Sequence, residues 1–171
     1  MKYKRFEDLP VWKDGMDLAG RVFRLVEDRC FVGKGDLRNQ LQRASLSISN
    51  NIAEGFERGT TQELLTFIYI ARGSAGETRS MLTFCEGQSW CTHLKSEISD
   101  LRSLCERIAR QLRGWADSLQ NSEVKGQRYL NDQTRALDEY RRRAEAFWDK
   151  LEQDHRQRLE TLETYGSANY L

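Results

Sequence analysis

Leu94, Ile98, Leu101, Cys105, Ile108, Leu112, Trp115 and Leu119 alternate steps of four and three residues without a break. At 3.6 residues per turn this spacing holds all eight side chains on one narrow stripe of a helix, with Arg, Glu and Asp filling the positions between. Such a helix cannot hide its apolar stripe by itself, so the pattern demands other helices of the same kind. The chain holds one proline, Pro10, which leaves long helices unbroken.

The rest of the first 90 residues supplies those partners. From Leu9 to about Cys30, Trp12, Gly15, Ala19, Val22 and Val26 recur at helical spacing, broadened by Leu18 and Leu25. The glycines of "FVGKGD" (31–36) break this first helix, and Asp36 is the expected N-cap of a second one, buried along Leu37, Leu41, Ala44, Ile48 and Ile52. Gly55 is expected to end the second helix in a left-handed conformation, and Thr60 with Glu63 forms a T-x-x-E capping box for the third. The third helix reads Leu64, Phe67, Ala71, Ser74, Thr78, Met81, Cys85 and stops near Gly87. Four amphipathic helices with short connections predict an all-α fold, an antiparallel up-and-down four-helix bundle over residues 6–119, followed by a C-terminal helical extension over 120–171.

Gly73 and Gly76 are out of place in a helix interior, where each costs about 0.5–1 kcal/mol relative to alanine. With Ala71, Ser74 and Ala75 they surround one turn with small side chains, more than a single inward seam can use. Either a second surface approaches there, which makes Gly73, Gly76 and Ala75 subunit-interface candidates, or a ring such as Trp12 or Phe56 takes the space inside one subunit.

No catalytic constellation is legible. A carboxylate-bridged di-metal bundle needs two Glu-x-x-His pairs, and only Glu152-Gln153-Asp154-His155 matches; the other histidine is His93. Cys30, Cys85, Cys91 and Cys105 form no C-x-x-C pair, so their spacing predicts reduced thiols and neither metal nor disulfide. Glu54 is expected to cap turn amides. The expectation is a non-enzymatic protein without cofactor, and the absence of a long apolar run or a signal-peptide core predicts a cytoplasmic one with no membrane partner.

The stretches 9–25 and 37–77, with the heptads after residue 94, carry a resemblance. Asn51-Ile52-Ala53-Glu54-Gly55 followed by Arg58, then Ile70-Ala71-Arg72-Gly73-Ser74 and Glu77, resemble the four-helix-bundle family of proteins encoded in intervening sequences of bacterial ribosomal RNA genes. That family includes the accessory variability protein of diversity-generating retroelements. The chain departs from it at Ser49, where many relatives carry proline, and in the length of its tail. The resemblance implies a homopentameric barrel without catalytic residues and, in the retroelement branch, a basic platform for nucleic acid, RNA or DNA, and for a reverse transcriptase.

Charge is compatible with that implication only locally. Residues 1–116 hold 18 Lys+Arg against 15 Asp+Glu, a balance of +3, and 117–171 hold 9 against 11, a balance of −2. Phosphate neutralisation needs several cations on one face, so the nucleic-acid-binding candidates are Arg58, Arg72 and Arg79 around the hairpin and Arg102, Arg107, Arg110 and Arg113 on the fourth helix. The simplest alternative for each is a solvated helix face paired with a nearby carboxylate.

In the tail, Leu130, Leu137, Ala144 and Leu151 recur every seven residues and predict another long helix, whose apolar seam is interrupted by Arg141, Arg142 and Arg143. Phe147, Trp148 and Leu151 are partner-binding candidates there, whether the partner is the bundle, a neighbouring subunit or another protein. Two function classes remain: an accessory subunit that binds RNA and a partner such as a reverse transcriptase, and a protein-only scaffold or adaptor that recruits through the C-terminal helix.

Overall fold

The computed structural model describes residues 3–121, 140, 141, 143–153 and 155–157. Four α-helices carry the first part of the chain: α1 (Pro10–Leu25), α2 (Gly35–Glu57), α3 (Thr61–Glu86) and α4 (Lys95–Gln120). Each packs along its neighbour in sequence and α4 closes on α1, which is the up-and-down four-helix bundle that the stripes require. No strand occurs among the described residues. None of the described helices is long and apolar enough to cross a membrane. The chain divides into two compact units, Met1–Arg128 and Tyr129–Leu171. In the second unit the described residues between 140 and 157 are helical, with Phe147 and Trp148 exposed and in edge contact at 6.1 Å between ring centroids. Leu130 and Leu137 lie outside the described residues, as does Arg142.

Helix starts follow local chemistry where a side chain supplies it. Thr60 Oγ1 accepts the Glu63 amide at 3.2 Å and donates to the Glu63 carboxylate at 2.8 Å, so Thr60 caps α3 as expected and Glu63 closes back on its hydroxyl. Pro10 opens α1, where its missing N–H costs nothing. Asp36 is not the N-cap of α2; that helix begins at Gly35, two residues earlier than such a cap would set, with Lys34 in the N-cap position making no side-chain cap, and Asp36 sits in the first turn where its charge complements the helix dipole. Helix α1 stops at Leu25, short of Cys30, because Asp28 takes an extended conformation and its carboxylate accepts the Cys30 amide at 2.8 Å, capping a separate 3₁₀ turn over Arg29–Phe31.

Gly55 does not end α2. The helix runs on to Glu57, and the only positive φ among the described residues belongs to Gly33 at 76°. Gly55 is buried because α3 crosses there: a Cβ on it would stand 2.6 Å from the Cβ of Phe67. The glycine is required by helix–helix distance and not by backbone conformation.

The buried face of α3 is wider than the spacing alone indicates. Leu65, Ile68, Ala75 and Leu82 are buried, whereas Phe67 and Met81 are half-buried. Helix α3 has two neighbours, and the two flanks of its face serve different ones. Phe67 meets Gly55 and Ser74 meets Ser47, both on α2. The stripe on α4 is kept, with Leu104 and Ala116 added to the core and Leu94, Trp115 and Leu119 at its edge.

Two connections meet at one end of the bundle, because an up-and-down topology puts the α1–α2 and α3–α4 links together. Phe31 and Trp90 pack edge to face there at 5.5 Å, and Lys34 Nζ lies 4.3 Å above the Trp90 ring. All four cysteines are free thiols. Burial pushes Cys85 up to about 11 and Cys105 up to about 12, so both are protonated core side chains.

Candidate nucleic-acid interface

Along α3, Tyr69, Arg72, Gly76 and Arg79 follow one another at steps of three, four and three residues, and on α4 Glu106, Arg110, Arg113 and Asp117 do the same at four, three and four. These are helical stripes as regular as the apolar ones, but they point outward. The α3 and α4 stripes face each other across an open groove lined by Tyr69, Arg72, Gly76, Arg79, Arg110 and Arg113, with Glu106 as the one carboxylate in its lining. Four guanidinium groups against one carboxylate make the groove basic in a chain whose formal net charge is +1.

The glycines form the floor. A Cβ added at Gly73 or Gly76 would meet nothing within 4 Å, so neither makes room for Trp12, Phe56 or any other side chain of this subunit. Their missing side chains instead leave the α3 backbone open to whatever enters the groove. Ala75, expected beside them at an interface, is 1% exposed and belongs to the core.

The arginines are held loosely. Arg79 lies 3.5 Å from Glu106, Arg110 4.0 Å from the same carboxylate, and Arg113 3.7 Å from Asp117, all on exposed side chains. Exposed pairs of this kind contribute about 0–1 kcal/mol, so an incoming phosphate can replace the carboxylate at little cost. Arg72 has no ion-pair partner among the described residues. Tyr69, 43% exposed, closes one end, its hydroxyl accepting Gln120 Nε2 at 2.7 Å. Tyr69 was legible in the sequence through its three-residue step to Arg72, but only to a search for polar stripes.

The other arginine candidates are placed elsewhere. Arg58 pairs with Glu54 at 2.6 Å and Glu63 at 3.8 Å across the α2–α3 turn, with its guanidinium 5.2 Å from the Phe67 ring. Arg102 is half-buried in a short pair with Glu86. Arg107 grips Asp14 of α1 through two nitrogens at 3.1 and 3.3 Å, while Gln111 donates to the same carboxylate at 2.7 Å. Partial burial works to raise the Asp14 carboxyl, yet Arg107 and Gln111 together hold it below its ordinary range. These three arginines fasten the bundle.

Most of the quoted signature serves the α2–α3 hairpin. Asn51 Nδ2 donates to Ser47 O at 2.7 Å and Ser47 Oγ at 2.9 Å, Ser47 Oγ shares a 3.0 Å hydrogen bond with Ser74 Oγ, and Ser74 returns to Ile70 O at 3.1 Å. Gly55 admits Phe67, and Glu54 with Glu63 holds Arg58. Asn51, Gly55 and Ser74 therefore set the distance between α2 and α3, and Arg72 and Gly73 stand on the outer side of the helix so positioned. No curated protein matches the chain in a sequence search. The family model of the 23S rRNA-intervening sequence protein matches residues 7–114, which spans all of α1 to α3 and most of α4, and the chain belongs to that family.

Proposed function

We propose that the protein is a non-enzymatic, oligomeric accessory subunit whose α3–α4 groove binds the backbone of a single-stranded nucleic acid, RNA in the first instance. The observation that carries this reading is the convergence of Arg72, Arg79, Arg110 and Arg113 around a glycine floor. Arg72 and Arg79 stand seven residues apart, about 10.5 Å along the helix, so they meet two different phosphates. Tyr69 beside them offers a ring on which an unpaired base can stack. A second copy of the chain presenting the same groove would set arginine against arginine, which favours a polyanion as the occupant. The ring assembly, pentameric by resemblance, multiplies the groove by the number of subunits, and a partner such as a reverse transcriptase rests on the resemblance alone.

The test is fluorescence anisotropy of a short single-stranded RNA titrated with the full chain at increasing salt. Four phosphate contacts per groove give a slope of log affinity against log salt of about −3. Arg72→Ala and Arg110→Ala should each weaken binding and reduce that slope by about 0.7. A slope near zero, or wild-type affinity in both variants, removes the groove from the function.

A protein-only adaptor is favoured by a different observation. Phe147, Trp148 and Leu151 are 59%, 64% and 42% exposed on the C-terminal helix, an apolar patch suited to a partner's groove. An interface of that kind responds little to salt, so the same titration with a candidate protein partner separates the two readings.

A further inference from the structure

Two short segments far apart in sequence, Asp28-Arg29-Cys30 and Cys91-Thr92-His93, meet where the α1–α2 and α3–α4 connections lie side by side. His93 Nε2 stands 3.1 Å from Asp28 Oδ1, and Cys30 Sγ stands 3.8 Å from Cys91 Sγ. The donor atoms of Asp28, Cys30 and His93 all lie within 4.8 Å of one another. We infer that Asp28, Cys30, Cys91 and His93 form a zinc site that clips the two connections together at this end of the bundle.

Two donor pairs already stand near the edge lengths of tetrahedral zinc. With Zn–S near 2.3 Å and Zn–N and Zn–O near 2.0–2.2 Å, the edges of the tetrahedron are about 3.8 Å between two sulfurs and roughly 3.3–3.6 Å for the other pairs. The sulfur pair already matches, and the nitrogen–oxygen pair is a few tenths of an ångström short. Within the group of Asp28, Cys30 and His93 the widest separation closes by a shift of about 1 Å, which the exposed His93 ring can make without disturbing the core; Cys91 Sγ, outside that group but 3.8 Å from Cys30 Sγ, becomes the fourth donor when the Asp28 and His93 side chains move further toward it. Two sulfurs, one imidazole and one carboxylate suit zinc over the hard cations calcium and magnesium, which take oxygen alone.

The surroundings hold the donors in place. The Cys30 amide donates to Asp28 Oδ1 at 2.8 Å, which orients the carboxylate, and Phe31 against Trp90 fixes the two backbones that carry the sulfurs. Cys91 is fully buried, while Asp28 and His93 open the site to solvent on one side and give the ion its entry path. Both sulfurs enter as thiols and leave as zinc thiolates, so each ion bound releases two protons to the solvent. No electrons are exchanged. Burial and the neighbouring Asp28 push the Cys30 thiol up to about 12, so loading becomes more favourable as pH rises.

Cobalt(II) is the probe, added to the full chain with all thiols reduced. The expected result is a thiolate-to-cobalt charge-transfer band with the intense visible bands of tetrahedral coordination, saturating at one ion per chain and bleached by zinc. His93→Ala and Cys30→Ser should each weaken binding by more than about tenfold, the loss that even an outer-shell change can produce. His155→Ala, altering the other histidine, should leave the spectrum and affinity unchanged. Circular dichroism confirms that the variants fold; His93→Ala, on a side chain 57% exposed, keeps the test independent of any folding defect in Cys30→Ser. A reduced, folded chain without these bands, or full affinity in His93→Ala, overturns the site.

Discussion

Phe67 of α3 lies against Gly55 of α2 so closely that a Cβ on the glycine would come within 2.6 Å of the phenylalanine Cβ and 3.3 Å of Leu64 Cδ1. The Phe67 Cβ is fixed to its own helix, so relief requires α2 and α3 to separate. Gly55→Ala should therefore destabilise the bundle by about 1–3 kcal/mol despite the better helix propensity of alanine. Gly73→Ala, which meets open space, should stabilise it by about 0.5–1 kcal/mol. Urea unfolding of the two variants checks both signs.

At Gly76, leucine replaces open space with a side chain on the floor of the groove. Gly76→Leu should keep its helicity and its mass by light scattering while losing RNA affinity tenfold or more, because the strand is held off the arginines. A fall in mass with retained helicity would instead make the glycine floor a contact between subunits. The mass by light scattering separates the two outcomes.

The Asp28 carboxyl is held down at about 2, first by the Cys30 amide and then by the Cys30 side chain and His93. An ordinary aspartate titrates near 3.9, so between these values the unfolded chain binds the extra proton. The resulting stability is fully present above about pH 4 and is lost as pH falls through about 2. In the presence of chelator, unfolding free energy should drop across that window in the wild type. Asp28→Asn should show a shallower fall over the same range, and an equal fall would refute the assignment.

A chain ending at Asn121 should fold. Helices α1 to α4 already bury one another's stripes, and the first compact unit closes without residues past 128. Circular dichroism and thermal melting of the truncated chain should match the full-length bundle to within a few degrees. An aggregated product would show that the C-terminal unit covers apolar surface of the bundle.

What the sequence by itself determined is the set of elements and their class. Apolar periodicity depends on neighbours within one helix, so Leu94 to Leu119, Leu41 to Ile52 and the Thr60–Glu63 cap were legible before any contact was known. Tertiary structure decided everything that depends on how far apart two helices stand. Gly55 reads as a helix end until α3 is laid across it, and Gly73 and Gly76 read equally as room for a ring inside the subunit until the space above them proves open. The seam of α3 cannot be phased from one stripe, because Phe67 and Ser74 answer to α2 while the buried Ala75 lies on the side that faces the groove with α4. Cys30, Cys91, Asp28 and His93 show no metal spacing along the chain, since 61 residues separate the two cysteines. Only an antiparallel topology, which returns the third connection to the same end as the first, brings them within a few ångströms.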